Sequence, residues 1–271
     1  MSSSIHPTAI LSPGAQLGEN VTVGPYAIIE DQTVIGDNCF IDAHAKIARY
    51  TIMGPRCRVY YGALVGEEPQ DRRRRDGVVS YTKIGADTNI REYVTIHRSP
   101  FEGQQTIIGE DVLLMAFVHV AHDVIIGNKV TIANQTALTG HVEIGDGAIL
   151  SGYIKIHQFC RIGTLAMISA NNVLVQDVPP YCLMEKNGYI VGPNTIGLRR
   201  AGFTNEQRAA IRHAVKVFLF NGLNTTNSVK EIMAGEVTPE VENFVRFVTS
   251  TQRGIISGNP DTIFEKAEPA E

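Results

Sequence analysis

Residues 108–150, broken every six, read IGEDVL LMAFVH VAHDVI IGNKVT IANQTA LTGHVE IGDGAI L. Every block opens on a large aliphatic side chain: Ile108, Leu114, Val120, Ile126, Ile132, Leu138, Ile144 and Leu150. The fifth place is always small or β-branched: Val112, Val118, Val124, Val130, Thr136, Val142 and Ala148. The aliphatic series runs on through Ile156, Ile162, Ile168 and Leu174. Upstream it runs from Leu11 by Val23, Ile29, Ile35, Ile41, Ile47, Met53 and Val59 to Val65, and again from Ile84 to Ile96. A period of six fits no α-helix and is too long for a plain strand alternation. It fits a short strand and a turn, with one large and one small side chain pointing inward. Glycine often follows the large aliphatic, as at Gly18, Gly24, Gly36, Gly109, Gly127, Gly145 and Gly163. The expectation is that it relieves the turn where φ is unusual. Three such strands make a triangular coil of about 18 residues, stacking at the parallel-strand spacing of about 4.8 Å.

Over residues 5 to about 180 this pattern resembles the hexapeptide-repeat, left-handed parallel β-helix proteins, and the left hand is implied by that resemblance. The usual crossover rule favours the right hand. The repeat is interrupted near residues 67–83 and 98–106, where loops are expected to leave a corner of the prism. The first holds the densest run of positive charge in the chain, Arg72-Arg73-Arg74-Arg75. After Pro179-Pro180 the period changes. Thr204 and Gln207 form a capping box ahead of Ile211, Ala214, Val215 and Phe218, and Thr238-Pro239 opens a second helix with Val241, Phe244, Val245 and Val248 on one face. The expected organisation is an all-β left-handed parallel β-helix over 1–190 followed by a small α-helical C-terminal domain over 191–271.

Composition narrows the function classes. The net charge of −4 lacks the basic footprint of a nucleic-acid binder, and no apolar run is long enough to span a membrane. Without a secretory signal and with four cysteines, the chain is expected to be cytoplasmic with free thiols. Cys39 and Cys57 stand one coil apart in the inward column, where stacked parallel Cβ vectors suit a disulfide poorly, so they read as core filler. Asn172 interrupts an otherwise apolar column.

The segment His119-Val120-Ala121-His122-Asp123 sets two histidines and a carboxylate beside a turn. Counting by eighteen puts Asp123 in one column with His141, and His122 against Gly140. His157 and Gln158 lie a further coil along, displaced by a residue or two. One surface histidine would carry little weight; four converging on one edge with an acid and a glycine mark a site. Two chemistries suit it. Stacked histidines on a β-helix can hold zinc, as in γ-class carbonic anhydrases. Alternatively, a histidine steered by a carboxylate can take a proton from a hydroxyl, and a glycine N–H can face an oxyanion. Periodicity does not choose between them.

Further motifs do. Gly66-Glu67 with Gln70-Asp71, Val94-Thr95-Ile96-His97-Arg98, the His119 to Asp123 segment, Gly140-His141, His157-Gln158-Phe159-Cys160, Gln176-Asp177-Val178-Pro179-Pro180 and Gly197-Leu198-Arg199-Arg200 resemble the UDP-N-acetylglucosamine O-acyltransferases of lipid A synthesis nearly end to end. The resemblance implies transfer of a 3-hydroxyacyl chain from acyl carrier protein to the sugar 3-hydroxyl, the first step of lipid A biosynthesis, without a metal or other cofactor. It implies His122 as general base, Asp123 as its orienting partner and the Gly140 amide as oxyanion donor. It further implies that His119, His141, His157 and Gln158 line the sugar and acyl sites. Asp71 and a basic neighbour would meet the sugar, and Asn194 and Arg200 the nucleotide. A homotrimer with sites between subunits is implied as well.

The chain also departs from that pattern. The family lysine after the Gln-Asp pair is replaced within Arg72 to Asp76, with Arg73 the favoured counterpart and Arg74 the alternative. Ile196 and Ala201 stand where a glutamate and an arginine are usual. Ala170 falls at the family's acyl-length ruler, where its methyl is expected to shorten the preferred chain by one or two carbons. Arg199, Arg200, Arg208, Arg212 and Lys216 form a candidate docking surface for the acidic carrier. The competing readings are N-acyl transfer to a 3-amino sugar, a zinc enzyme, and a non-catalytic scaffold.

Overall fold

The computed structural model describes residues 3–261; the remainder of the expected helical domain, 262–271, lies outside the described residues. From Ser4 to Leu174 the chain is a succession of short parallel strands in three sheets, and strands three apart in sequence are hydrogen-bonded neighbours. The product is the left-handed parallel β-helix, a triangular prism. The first sheet begins at Ser4–Ile5, the second at Ile10–Leu11 and the third at Gln16–Leu17. Pairing obeys the eighteen-residue count, as in Ile29 with Ile47 and Ile126 with Ile144. Ile29, Ile41, Ile47, Ile90 and Ile96 are wholly buried in the interior. Each such side chain contributes about 1.5–3 kcal/mol by leaving water.

Most corners turn on a residue with a left-handed backbone, and that residue is usually not glycine: Tyr26, Gln32, Asn38 and His44 have φ of 58°, 58°, 58° and 57°. Such conformers are sterically disfavoured for residues with a Cβ. The repeat glycines sit elsewhere in the turn and have no such φ, so the conformational role expected for them is not the one they play. Their role is steric. A Cβ on Gly36 would stand 2.6 Å from Pro55 N and 2.7 Å from Gly54 C, and one on Gly109 would meet Gly127 C at 2.6 Å. The absent side chain lets one coil's backbone rest against the next.

Both interruptions leave from the corner between the second and third sheets. One joins Leu64–Glu67 to Tyr81–Ile84, the other Thr95–His97 to Gln105–Ile108. Stacking continues across them, since Val65 pairs with Ile96, and Ile84 pairs with both Met53 and Ile108. All four cysteines are free and buried. The Cys39 and Cys57 thiols donate to the carbonyls of Gly54 and Gly85 at 3.2 and 3.1 Å. Asn172 is buried but not unpaired: its amide donates to Ser169 O at 2.7 Å and Glu185 O at 3.1 Å, tying the corner before Val173–Leu174 to the segment that follows.

Beyond the coils, Cys182–Met184 pairs antiparallel with Ile190–Pro193. Among the described residues four helices follow: α1 (Thr195–Arg200), α2 (Asn205–Phe220), α3 (Thr225–Met233) and α4 (Pro239–Thr249). The capping box at Thr204 and Gln207 is formed, and Ile211, Ala214, Val215, Val241, Phe244 and Val248 are buried. Helices α1 and α3 had no clear periodic signal, being short and held by asparagine caps at Asn194 and Asn224. No helix among the described residues is long and apolar enough to cross a membrane.

The steric account makes opposite predictions for two neighbouring positions. Gly36→Ala lowers stability by about 1–3 kcal/mol through overpacking. Exposed Gln32→Gly, at a left-handed corner, leaves stability unchanged or raised. Urea unfolding of the two variants measures this, and the reverse order would contradict it.

Candidate active site

The corner from the second to the third sheet carries Asp123, His141 and Phe159 in successive coils, with φ of 59°, 61° and 66°. The His141 ring stacks on Phe159 with centroids 4.7 Å apart and planes 4° from parallel. One residue earlier in each turn come His122, Gly140 and Gln158. His122 Nδ1 lies 2.8 Å from Asp123 Oδ2. A carboxylate only accepts, so Nδ1 carries the proton and Nε2 of the neutral ring offers a lone pair. The His122 ring lies over Gly140 so closely that a Cβ there would come within 2.5 Å of its Cε1. Glycine at 140 is therefore a condition for the position of the ring. Among the described residues the Gly140 N–H donates to no group.

The first inserted loop folds back onto this corner. Asp71 Oδ2 reaches within 3.4 Å of His122 Nε2. Arg73 grips Asp71 through Nε and Nη2, at 2.6 Å for the closest contact, and lies over the Phe101 ring of the second loop. Arg74 turns instead to Glu68 and Asp76. The hydrogen bonds from Arg73 hold the Asp71 carboxyl down at about 2. Burial pushes the Asp123 carboxyl up, but hydrogen bonds from His122 and Ser99 and the neighbouring imidazoles outweigh it and leave that group below its ordinary value. A cation formed at His122 therefore lies between two ionised carboxylates. Thr106 pins the backbone of this turn, accepting from Asp123 N at 2.9 Å and donating to His97 O at 2.7 Å.

His119 faces outward from the second sheet, its Nδ1 2.8 Å from Thr95 Oγ1 and its ring 5.2 Å from that of buried His97. Burial, with His97 beside it, lowers the His119 imidazole to about 4, and burial also lowers His97 and His141. Thr95, His97, Thr106 and Phe159 had not been singled out for the site. Phe159 stands two coils beyond Asp123 and was within reach of the eighteen-residue count. Thr95 and Thr106 were not, because their pairing depends on register across the inserted loops.

The chain does not bring the remaining candidates to this cluster. His157 and Gln158 are exposed one coil further along the same edge. Ala170 is half-buried at the corner between the first and second sheets. Asn194 caps α1, accepting from Gly197 N at 3.0 Å and donating to Leu165 O at 2.9 Å, beside the corner between the third and first sheets. Arg200 is exposed in the last turn of α1.

His122, Asp123 and His141 offer three donor atoms within 4.8 Å of one another. An ion that took both His122 Nδ1 and Asp123 Oδ2 would have to break the hydrogen bond joining them.

The depressed His119 value has a consequence for stability. Between its ordinary 6.5 and about 4 the unfolded chain binds a proton here that the folded chain does not, so stability falls as pH is lowered through that window. His119→Asn removes the titration, and its urea midpoint falls less than that of the parent between pH 7 and pH 5. Equal falls would contradict the assignment.

Known proteins share this architecture. Residues 105–140 match the family described as bacterial transferase hexapeptide (six repeats), and residues 177–256 match UDP-N-acetylglucosamine O-acyltransferase, domain 2. The acyl-[acyl-carrier-protein]–UDP-N-acetylglucosamine O-acyltransferase of Paraburkholderia phymatum is 44% identical over 261 residues, covering 94% of this chain and 99% of that one. Its counterpart in Aliarcobacter butzleri is 40% identical over 255 residues, covering 93% and 98%. Among solved structures, the UDP-N-acetylglucosamine acyltransferase of Francisella novicida superposes with a TM-score of 0.90 at 33% identity over 95% of each chain. That of Bacteroides fragilis gives 0.90 at 39% identity, covering 93% and 99%. A relative this similar over nearly its whole length fixes the assignment: the chain belongs to the acyl-[acyl-carrier-protein]–UDP-N-acetylglucosamine O-acyltransferase family.

Proposed function

We propose that this protein transfers a 3-hydroxyacyl chain from acyl carrier protein to the 3-hydroxyl of UDP-N-acetylglucosamine, with His122 as general base. The observation that carries the reading is the His122–Asp123 pair, 2.8 Å apart, with Nε2 turned toward the Asp71–Arg73 pair. His122 Nε2 takes the proton of the sugar hydroxyl as its oxygen attacks the thioester carbonyl. Asp123 steadies the imidazolium, and the Gly140 N–H meets the oxyanion. Collapse of the tetrahedral intermediate breaks the C–S bond, and the proton on Nε2 passes to the leaving thiol. Asp71 and Arg73 fix the sugar; His119, His141, His157 and Gln158 line the adjoining surface.

Asn194, Arg200 and Ala170 lie at other edges of the prism, so one chain does not assemble them with the base. A homotrimer whose sites lie between chains accommodates this: another chain supplies the nucleotide contacts, and Ala170 bounds the acyl groove. Arg199, Arg200 and Lys216 are exposed, with Arg208 and Arg212 half-buried beside them, and form the docking surface for the acidic carrier. Four free cysteines suit a reducing cytoplasm. The three convergent donor atoms at His122, Asp123 and His141 favour zinc as the second reading.

Purified protein given UDP-N-acetylglucosamine and 3-hydroxyacyl carrier proteins of several lengths, with mass-spectrometric readout, forms an ester product that survives chelator treatment. His122→Ala lowers kcat by about 10²- to 10⁴-fold, the range for loss of a general base. An amide formed only with a 3-amino sugar would replace the acceptor. Turnover abolished by chelator would favour zinc. Substantial activity in the His122 variant would remove it as base.

A further inference from the structure

After α4 the chain returns to the prism. Asp177 N donates to Gly254 O at 2.8 Å and Ile256 N to Asp177 O at 3.0 Å, so residues 254–256 lie alongside the last corner as a short parallel addition. The return is clamped just ahead of that contact. The fully buried Asp177 carboxylate accepts from Arg161 Nε and Nη2 at 3.0 and 2.9 Å and from Thr251 Oγ1 at 2.8 Å. Arg161 also donates to Phe247 O and Ser250 Oγ, each at 3.0 Å, and lies over the Phe247 ring. Arg253 sits between the two clamps. Its Nη2 lies 3.0 Å from Nδ1 of His157, on the edge that carries the His122–Asp123 pair.

A guanidinium has donors only. Its contact with Nδ1 therefore requires a lone pair there, which makes the ring neutral and puts its proton on Nε2. The competing partner of Nδ1 is Gln158 O at 3.2 Å. That contact would need a proton on Nδ1, and an N–H there would face the Arg253 N–H head on. The shorter, charged contact prevails. A second observation marks Arg253 as more than a surface charge: its Nε is buried without an acceptor among the described residues, and its guanidinium lies within reach of the buried Cys160 thiol, whose pKa burial raises against the pull of that cation. A side chain held between His157 and the interior of the last coil has its direction fixed from both ends.

We infer that Arg253 is a positioning residue that fixes His157 as a neutral imidazole with its proton on Nε2, making the exposed ring a dedicated hydrogen-bond donor on the substrate edge. The inference rests on the proposed reading of that edge as the substrate site. It gives the helical domain a part in the site: α4 and the clamp deliver Arg253 to the last coil. The histidines of one edge then divide the work by tautomer, with His122 turned by a carboxylate to accept at Nε2 and His157 turned by a guanidinium to donate there.

The test is nitrogen NMR on full-length protein labelled at histidine, at pH 8, with His157 assigned through His157→Gln. Long-range proton–nitrogen correlations report the tautomer directly. The parent shows the Nε2–H form; Arg253→Met moves His157 toward the Nδ1–H form that bonds Gln158 O, and Arg253→Lys restores the parent pattern. In steady-state assays Arg253→Met raises the KM of a substrate about tenfold, equivalent to one lost hydrogen bond, while kcat changes less than about twofold. An Nδ1–H tautomer in the parent, or one unmoved in Arg253→Met, would overturn the inference. A tautomer change without a change in KM would overturn the link to substrate. Failure of the parent to transfer acyl groups would overturn the preceding proposal, while the tautomer would still be decided by NMR alone.

Discussion

Everything in this protein hangs on the contact of one coil with the next. Backbone amides and carbonyls of successive coils pair along all three sheets, most of them below 3.0 Å, as in Gly36 N to Met53 O at 2.8 Å. The ladder closes only if nothing stands between successive turns, and Gly36 and Gly109 are bare for that reason. Given that contact, the interior has room for one large and one small side chain per strand, which fixes the six-residue period. Corner residues such as Asp123 and His141 take up the backbone strain. Because every coil repeats the same turn, residues eighteen apart are delivered to the same edge.

The same constraint makes the site. Asp123, His141 and Phe159 line up because they hold one corner position in three coils, and the His122 ring fits because Gly140 beneath it has no side chain. Both inserted loops leave from that corner, so departure from the repeat is confined to the edge that carries the His122–Asp123 pair. Asp71 and Arg73 come from one loop, Phe101 from the other, and Thr106 follows the second to tie the Asp123 backbone to His97 O. A rigid prism with adaptable corners holds the His122 ring within narrow limits while the loops shape what it meets.

The repeat was written openly in the sequence. Ile108 to Leu174 gave both the coil and the interior, and counting by eighteen placed His122 over Gly140 and Asp123 in line with His141. Less was legible where the period fails. Whether Arg73 or Arg74 stands for the family lysine could not be read, because the loop has no register to count along; in the fold Arg73 pairs with Asp71 and Arg74 with Glu68. The glycines were legible as positions but misread in cause, since proximity to a turn suggests φ and the coil-to-coil approach is invisible in one dimension. Arg253 stands 96 residues from His157 and reaches it only through the clamp at Asp177.

Rigid edges also impose a limit, and it leads to the central claim. His122 lies at one edge, Asn194 and Arg200 near another and Ala170 at the third, and no flexing of a prism brings them together. The account therefore requires that chains combine to form each site. Mixing His122→Ala with Arg200→Ala subunits, each nearly inactive alone, tests this most directly. Random mixing of subunits in a closed trimer leaves about a quarter of the composite sites intact, so activity should return to roughly that share of the parent. No recovery above the separate variants, or full activity of Arg200→Ala alone, would contradict a site shared between chains.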